Sequence, residues 1–138
     1  MQAHRAIATL HSFRFFGLVF ILPGVVGPGL PAGFASFAAY GDFATGVLAL
    51  LALATVRLRP PFWGLVAAFN LLGAGDLILD YVHAIQQGLP AAPGALGGAY
   101  WIVILYAPLL MITNCVALYW LARPGAKAAP AYAAESAA

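Results

Sequence analysis

The sequence has 138 residues, of which 64% are hydrophobic and 7% are charged, and its formal net charge is +2. This composition is far more apolar than that of a soluble domain and indicates an integral membrane protein. Cys115 is the only cysteine, so no intramolecular disulfide can form, which excludes the paired-thiol chemistry of membrane disulfide and quinone oxidoreductases. The basic residues form no run, and nothing in their spacing indicates binding to nucleic acid.

Four apolar segments follow one another along the chain, at residues 10–27, 37–56, 62–85 and 100–122. Each is close to the ~20 residues that a helix needs to cross a bilayer, and segments rich in glycine and proline separate them. The sequence therefore predicts one all-α domain over residues 1–123, built as a bundle of four transmembrane helices. Residues 124–138 are rich in proline and alanine and are predicted to be a disordered tail.

The distribution of basic residues favours one orientation of this bundle. The connections after the first and third segments carry no charge, so every basic residue falls on the same side of the predicted bundle: Arg5, Arg14, Arg57, Arg59, Arg123 and Lys127. The positive-inside rule makes that side cytoplasmic, together with both termini. We expect a multi-pass protein of the membrane that bounds the cytoplasm.

A second interpretation of the N-terminus stays open. His4 and Arg5, the apolar core that follows them and the small-residue sequence GFA at residues 33–35 would also fit a cleaved secretory signal. The interruption at Pro23 and the length of the apolar core favour a retained first span. Cleavage would leave three spans with the same orientation, so the charge distribution does not decide between the two.

Ionisable residues lie inside the second and third segments. At 1.5 Å per residue, Asp42 falls ~8 Å below the outer end of the second segment, and Asp76, Asp80 and His83 fall ~15, ~9 and ~5 Å below the outer end of the third. The three residues of the third segment share one helix face, and Asp42 lies in a line of small residues that favours close helix packing. A charged residue inside a membrane segment costs roughly 2.5–3.5 kcal/mol to insert, which makes these residues functional candidates.

These residues predict a site that handles protons or cations in the outer half of the bundle. With no basic residue predicted nearby, we expect at least one of Asp42, Asp76 and Asp80 to be protonated at neutral pH, or a cation to be shared among them. His83 would serve as their partner or exchange protons with solvent, and Tyr106 in the fourth segment could donate to the carboxylates. The three aspartates and His83 are also candidate ligands for Mn²⁺ or Zn²⁺.

The remaining polar residues favour structural roles. Asn70 and Asn114 come out at similar depth, which predicts an amide contact between the third and fourth segments. Arg14, near the inner end of the first segment, is predicted to contact lipid headgroups. His11 belongs near the inner face and His83 near the outer face, so a haem held by both is not expected, and no motif indicates any cofactor.

Four short motifs carry a resemblance to known proteins: FRFFG at residues 13–17, LPAGFA at 30–35, GD at 41–42 and NLLGAGDL at 70–77. Through them the chain resembles a loosely defined group of small, uncharacterised four-helix proteins of bacterial inner membranes. The opening FRFFGLVFILPG is also faintly similar to DoxX-type proteins. The resemblance implies the topology and a bacterial origin, and it implies no particular activity.

Three functional hypotheses follow. In the first, the outer pocket binds or transports a proton, a cation or a small solute. In the second, the protein is a non-catalytic accessory subunit of a larger membrane complex or a homo-oligomer, and its carboxyls hold helices together by hydrogen bonds worth ~0.6–2 kcal/mol each. The third, an enzyme acting on a lipid or quinone with Asp80 and His83 as its acid–base pair, has no nucleophile–base pair or cofactor motif behind it. Membrane lipid is the expected surrounding partner in all three.

Overall fold

The computed structural model of the chain describes residues 1–123, and every regular element among them is a helix. The predicted all-α fold class is therefore confirmed for this part of the chain. The predicted disordered tail, residues 124–138, lies outside the described residues. In chain order the elements are helix α1 (Gln2–His11), a 3-10 helix (Ser12–Ile21), helix α2 (Ala32–Ala54), helix α3 (Arg59–Gln86), 3-10 turns at Leu89–Ala91 and Pro93–Ala99, a π-helical turn (Ile102–Tyr106) and helix α4 (Ala107–Ala122).

Three helical stretches in the described residues are long and apolar enough to cross a membrane: Ala32–Ala54, Arg59–Gln86 and Ile102–Ala122. They correspond to the second, third and fourth predicted segments. Helix α3 begins with Pro60 and Pro61 in its first turn, where the missing N–H groups would have no helical partner in any case. Pro108 lies in the first turn of α4 and cannot bond to the carbonyl four residues earlier, and the widened π turn ends just before it.

The first apolar segment differs from its prediction. The backbone stays right-handed and helical through His11 and Ser12, so α1 and the 3-10 helix form one N-terminal rod (Gln2–Ile21). At 1.5 Å per α-helical and 2.0 Å per 3-10 residue, the rod is roughly 35 Å long. The rod starts earlier than residue 10. It ends before residue 27 because Leu22 is extended, Pro23 lacks an N–H group and Gly24 has a φ of 82°.

The ends of the bundle are fixed by contacts between distant parts of the chain. At one end the His4 ring packs edge-on against Trp63, at the start of α3, and Trp120, near the end of α4. At the other end the two predicted outer connections meet, because the N–H of Gly27 donates to the carbonyl of Ala95 at 2.9 Å. The N-terminus, the start of α3 and the end of α4 therefore lie at the same end of the bundle.

Two apolar clusters fill the interior, one toward each end. The cluster near the N-terminus consists of Ile7, Ala8, Ala49, Ala52, Phe62, Val66, Phe69 and Ala117. The cluster near the other end of the bundle consists of Phe20, Phe34, Ala35, Ala38, Ala39, Leu89, Leu96 and Ala99. In the rod, in α2 and in α3, the stretch of chain between these clusters carries buried polar residues, and these form the candidate site.

Candidate functional site

Arg14 lies at the centre of the site and joins three parts of the fold. Its side chain is fully buried, roughly 20 Å along the rod. Its Nε and Nη2 atoms are each 2.6 Å from Oδ1 of Asp42 on α2, and Nη2 donates to Oδ2 of Asp76 on α3 at 2.7 Å. Nη1 donates to the carbonyl of Gly73 at 3.3 Å. One guanidinium thus links the rod to both neighbouring helices.

The prediction that Arg14 contacts lipid headgroups is wrong. The sequence-based depth assumed that the membrane helix begins near Leu10, which left Arg14 about one turn from the surface. Because the rod begins at Gln2, Arg14 lies near its middle, and its fully buried guanidinium contacts carboxylates of two neighbouring helices. The buried carboxylates of Asp42 and Asp76 provide the charge compensation that a surface would otherwise supply.

Three glycines leave the space that these charged groups occupy. A Cβ atom on Gly17 would overlap the carboxyl of Asp42, and one on Gly41 would overlap the carboxyl of Asp76. A Cβ atom on Gly73 would lie 2.5 Å from Nη1 of Arg14. Each of the three charged side chains therefore lies against a glycine of a neighbouring helix.

The glycines explain why three of the short sequence motifs have the form they do. FRFFG contains Arg14 and the glycine that accommodates Asp42. GD contains Asp42 and the glycine that accommodates Asp76. NLLGAGDL contains Asp76 together with Gly73, which lies against the guanidinium. These motifs are the parts of one charge cluster.

Asp80 is the carboxyl of the cluster that Arg14 does not reach. Its Oδ1 atom is buried and has no hydrogen-bond partner among residues 1–123. The side chain lines a cavity of about 40 Å³, together with Asp42, Tyr106 and apolar side chains from the rod, α2, α3 and α4. A cavity of this size holds a water molecule or a small ion.

Tyr106 lines the same cavity but does not donate to a carboxylate. Its hydroxyl donates to the backbone carbonyl of Leu10 at 3.1 Å. The Tyr106 side chain therefore links the π-helical turn before α4 to the rod and forms part of the cavity wall.

His83 lies apart from the cluster. Its ring packs edge-on against Phe37 with centroids 4.6 Å apart, and it is not among the residues that line the cavity. In residues 1–123 no group of three histidine, cysteine, aspartate or glutamate side chains could hold a metal ion. The candidate metal site formed by Asp42, Asp76, Asp80 and His83 is therefore not present, since Arg14 occupies the position between the first two carboxylates.

The predicted amide contact between Asn70 and Asn114 is not made. Both side chains are fully buried, but Nδ2 of Asn70 donates to the carbonyl of Val66, one turn earlier in its own helix, at 2.7 Å. Within the described residues, the side-chain oxygen of Asn70 and both polar side-chain atoms of Asn114 have no partner. The side-chain NH₂ group of Asn70, which was expected to donate to α4, instead donates to the Val66 carbonyl of its own helix.

Sequence reasoning missed two buried contacts. It did not place Arg14 in the site, although three acidic residues without a base in the outer half call for a cation. It also placed His11 near the inner face, whereas the structure buries it completely with Nε2 2.9 Å from the Thr113 hydroxyl and its ring against Phe69. No feature of the sequence pairs His11 with Thr113.

Comparison with known proteins gives a family and nothing more specific. A family model described as a domain of unknown function (DUF8737) matches residues 1–122, so the chain belongs to this family. No curated protein and no solved structure matches the chain significantly. This match confirms the expectation that the chain belongs to an uncharacterised family.

Proposed function

We propose that this member of the DUF8737 family binds a proton or a small cation at Asp80, inside a membrane-embedded helical bundle, and that the site serves to take it up or pass it on. The observation that carries the proposal is the buried Oδ1 atom of Asp80, which lines a cavity and lacks a partner in the described chain. An ionised carboxylate in that position would be uncompensated, and a bound proton or cation removes the cost.

The charge balance of the cluster supports the same proposal. Three carboxyls and one guanidinium leave two negative charges in excess when every group is ionised. Arg14 contacts Asp42 and Asp76 but does not reach Asp80, so Asp80 is the carboxyl of the cluster with no counter-charge in contact. The small cavity favours a proton, a water molecule or a bare cation over the larger solutes that the sequence left open.

The membrane arrangement is part of this proposal. The rod of roughly 35 Å is long enough to serve as a fourth crossing of a hydrocarbon layer about 30 Å thick. With the basic residues on one side, both termini would be cytoplasmic, the membrane would be a bacterial inner membrane and Asp80 would lie in its outer half. Loss of the rod as a cleaved signal would remove the counter-ion of Asp42 and Asp76, which supports a retained first segment.

The alternative of a non-catalytic subunit has one observation in its favour. The Arg14 link to two helices is a structural device, and such a bundle could assemble with a larger complex or with further copies of itself. This reading accounts for Asp42 and Asp76 but leaves Asp80 unexplained. For an enzyme, Asp80 and His83 would need to act together, and the packing of His83 on Phe37 gives that hypothesis no support.

Infrared spectroscopy of the purified protein tests the proposal. The carbonyl stretch of a protonated carboxylic acid should be present in the wild type, disappear as pH rises and be missing in Asp80→Asn. Glu135→Gln is the matched control, because Glu135 is the one acidic side chain of the sequence outside the cluster. A wild-type band that survives unchanged in Asp80→Asn shows that Asp80 is not the protonated carboxyl. That result would refute the proposal if metal analysis of the wild type also finds no bound cation.

A further inference from the structure

A groove runs between α2 and α3 on a different side of the charge cluster from the Asp80 cavity. It has a volume of about 680 Å³ and is lined mainly by apolar side chains. The lining residues that bear on its ligand are Gly33, Phe37, Tyr40 and Gly41 on α2, and Gly75 and Asp76 on α3. This α2–α3 groove is within the size range of sites for small organic ligands, roughly 300–1,000 Å³.

Missing side chains, rather than separated helices, make the groove. A Cβ atom on Gly75 would meet nothing within 4 Å, and one on Gly33 would meet only the side-chain amide of Gln87, at 4.0 Å. Neither glycine is therefore needed for helix packing. Gly41 has a different role, because the carboxyl of Asp76 fills the space where its side chain would be.

The charged feature of the groove is one half of a carboxyl group. Oδ2 of Asp76 accepts from Arg14, whereas Oδ1 accepts no hydrogen bond within residues 1–123. Oδ1 lies against Gly41, a residue of the groove wall, and it is not among the buried atoms without a partner. The Asp76 side chain is 4% exposed, so only an edge of its carboxyl reaches the groove wall. An unpaired acceptor at the wall of an apolar groove favours an occupant that brings a donor.

The surroundings favour a donor that is positively charged. The cluster behind Asp76 has more carboxyls than guanidinium groups, so it attracts a cation. Tyr40 is 62% exposed and Phe37 is 37% exposed, and both aromatic rings line the groove on α2. Aromatic faces also attract ammonium groups.

We propose that the α2–α3 groove binds an amphipathic amine from the membrane, with its ammonium group donating to Oδ1 of Asp76 and its apolar tail along the groove. The inference deepens the proposed function and rests on it in one respect, since the ammonium supplies one of the two positive charges that the carboxyl cluster lacks. The ligand class is a primary amine on an alkyl or aryl tail, which the lipid phase delivers sideways.

Photolabelling in lipid nanodiscs tests this proposal with a long-chain alkylamine that carries a diazirine on its tail. We expect the label in the groove-lining segments of α2 and α3, and labelling about tenfold weaker for the same tail ending in a methyl ether, as the loss of one charged contact implies. Gly75→Phe fills the groove and should abolish groove labelling. Gly64→Phe is the matched control, since Gly64 also lies on α3 with nothing within 4 Å of its Cβ position.

Three results would overturn the inference. Equal labelling by the amine and the ether would mean that the groove holds acyl chains without regard to charge. Labelling that persists in Gly75→Phe would place the amine elsewhere. A spontaneous disulfide-linked dimer of Gly75→Cys, made on a Cys115→Ala background, would mean that a second copy of the chain occupies the groove.

The variant Asp80→Asn separates this inference from the proposed function. It should lose the infrared band of the protonated carboxyl and still take up the amine label, because the groove is not lined by Asp80. A wild type with the band but without groove labelling would overturn the groove inference alone. A wild type with groove labelling but no Asp80 band and no bound cation would overturn the proposed function alone.

Discussion

Arg14 and Asp42 form a buried ion pair between the N-terminal rod and α2, with 2.6 Å between the guanidinium and a carboxylate oxygen and with the arginine fully enclosed. Burial makes this pair costly to disrupt, because removal of one partner leaves the other charged group without compensation in an apolar interior. The pair also defines the rest of the site. It shows which carboxyls contact the guanidinium, and so identifies Asp80 as the one that does not.

Replacement of Arg14 by glutamine should destabilise the bundle strongly. We expect a loss of about 3–5 kcal/mol, because Asp42 and Asp76 both lose their partner. Thermal unfolding in detergent would measure it, with Arg59→Gln as a control that makes the same change in charge at an exposed position. Adding Asp42→Asn and Asp76→Asn to Arg14→Gln should restore part of the loss, and a triple variant no more stable than the single one would contradict the ion-pair explanation.

Gly17→Ala should destabilise the protein even though the change adds a single methyl group. The new Cβ atom would overlap the carboxyl of Asp42, so either the rod or the ion pair must shift, at a cost of about 1–3 kcal/mol. Gly64→Ala, in open space on α3, should leave stability unchanged or slightly raised. Equal melting temperatures for the two alanine variants would argue against tight accommodation of Asp42 by Gly17.

The helices were predictable because their length and apolar character can be counted directly along the chain. The candidate residues Asp42, Asp76 and Asp80 were predictable in the same way, since a carboxyl inside an apolar segment stands out without knowledge of its neighbours. Depth estimates also gave Asp42 and Asp80 a similar position, and the structure places both on one cavity.

The partners of these residues depend on packing, which residue counting does not provide. Arg14 was assigned to the membrane surface because the rod's true start at Gln2 and its 3-10 geometry both lie outside the hydropathy pattern. Asn70 was paired with Asn114 by depth, yet its Nδ2 atom donates to the carbonyl of Val66 in its own helix. His83 shares a helix face with Asp76 and Asp80, but Phe37 from the neighbouring helix covers its ring.

The end of the bundle at the N-terminus should respond to mild acid through His4. This side chain is 5% exposed and packs against Trp63 and Trp120, and burial lowers its pKa below the ordinary value, in the same direction as the nearby N-terminal amino group. The unfolded chain binds a proton at His4 as pH falls through about 6.5, whereas the folded chain does so only at lower pH. Stability from this group is therefore complete above pH ~6.5 and decreases below it.

Melting temperatures of the wild type and His4→Phe between neutral and mildly acidic pH would measure this effect. The phenylalanine keeps an aromatic ring between the two indoles and cannot titrate. We expect the wild type to lose more stability than His4→Phe as pH falls, while contributions from the aspartates cancel in the comparison. Parallel curves would show that His4 has no role in the pH dependence.

Asp80→Asn and Asp42→Asn should change stability in opposite directions, although each replaces one carboxyl of the charge cluster by an amide. Asp42 compensates Arg14 directly, so its replacement should lower the melting temperature and cost about 3–5 kcal/mol. Asp80 has no such partner, and under the proposed function its buried oxygen is kept for binding at the expense of stability. Its replacement should then stabilise the fold by about 0.5–2 kcal/mol. Differential scanning fluorimetry at neutral pH would compare the two. A loss of stability in Asp80→Asn similar to that in Asp42→Asn would mean that Asp80 holds helices together, and the non-catalytic subunit would then be the better account of the protein.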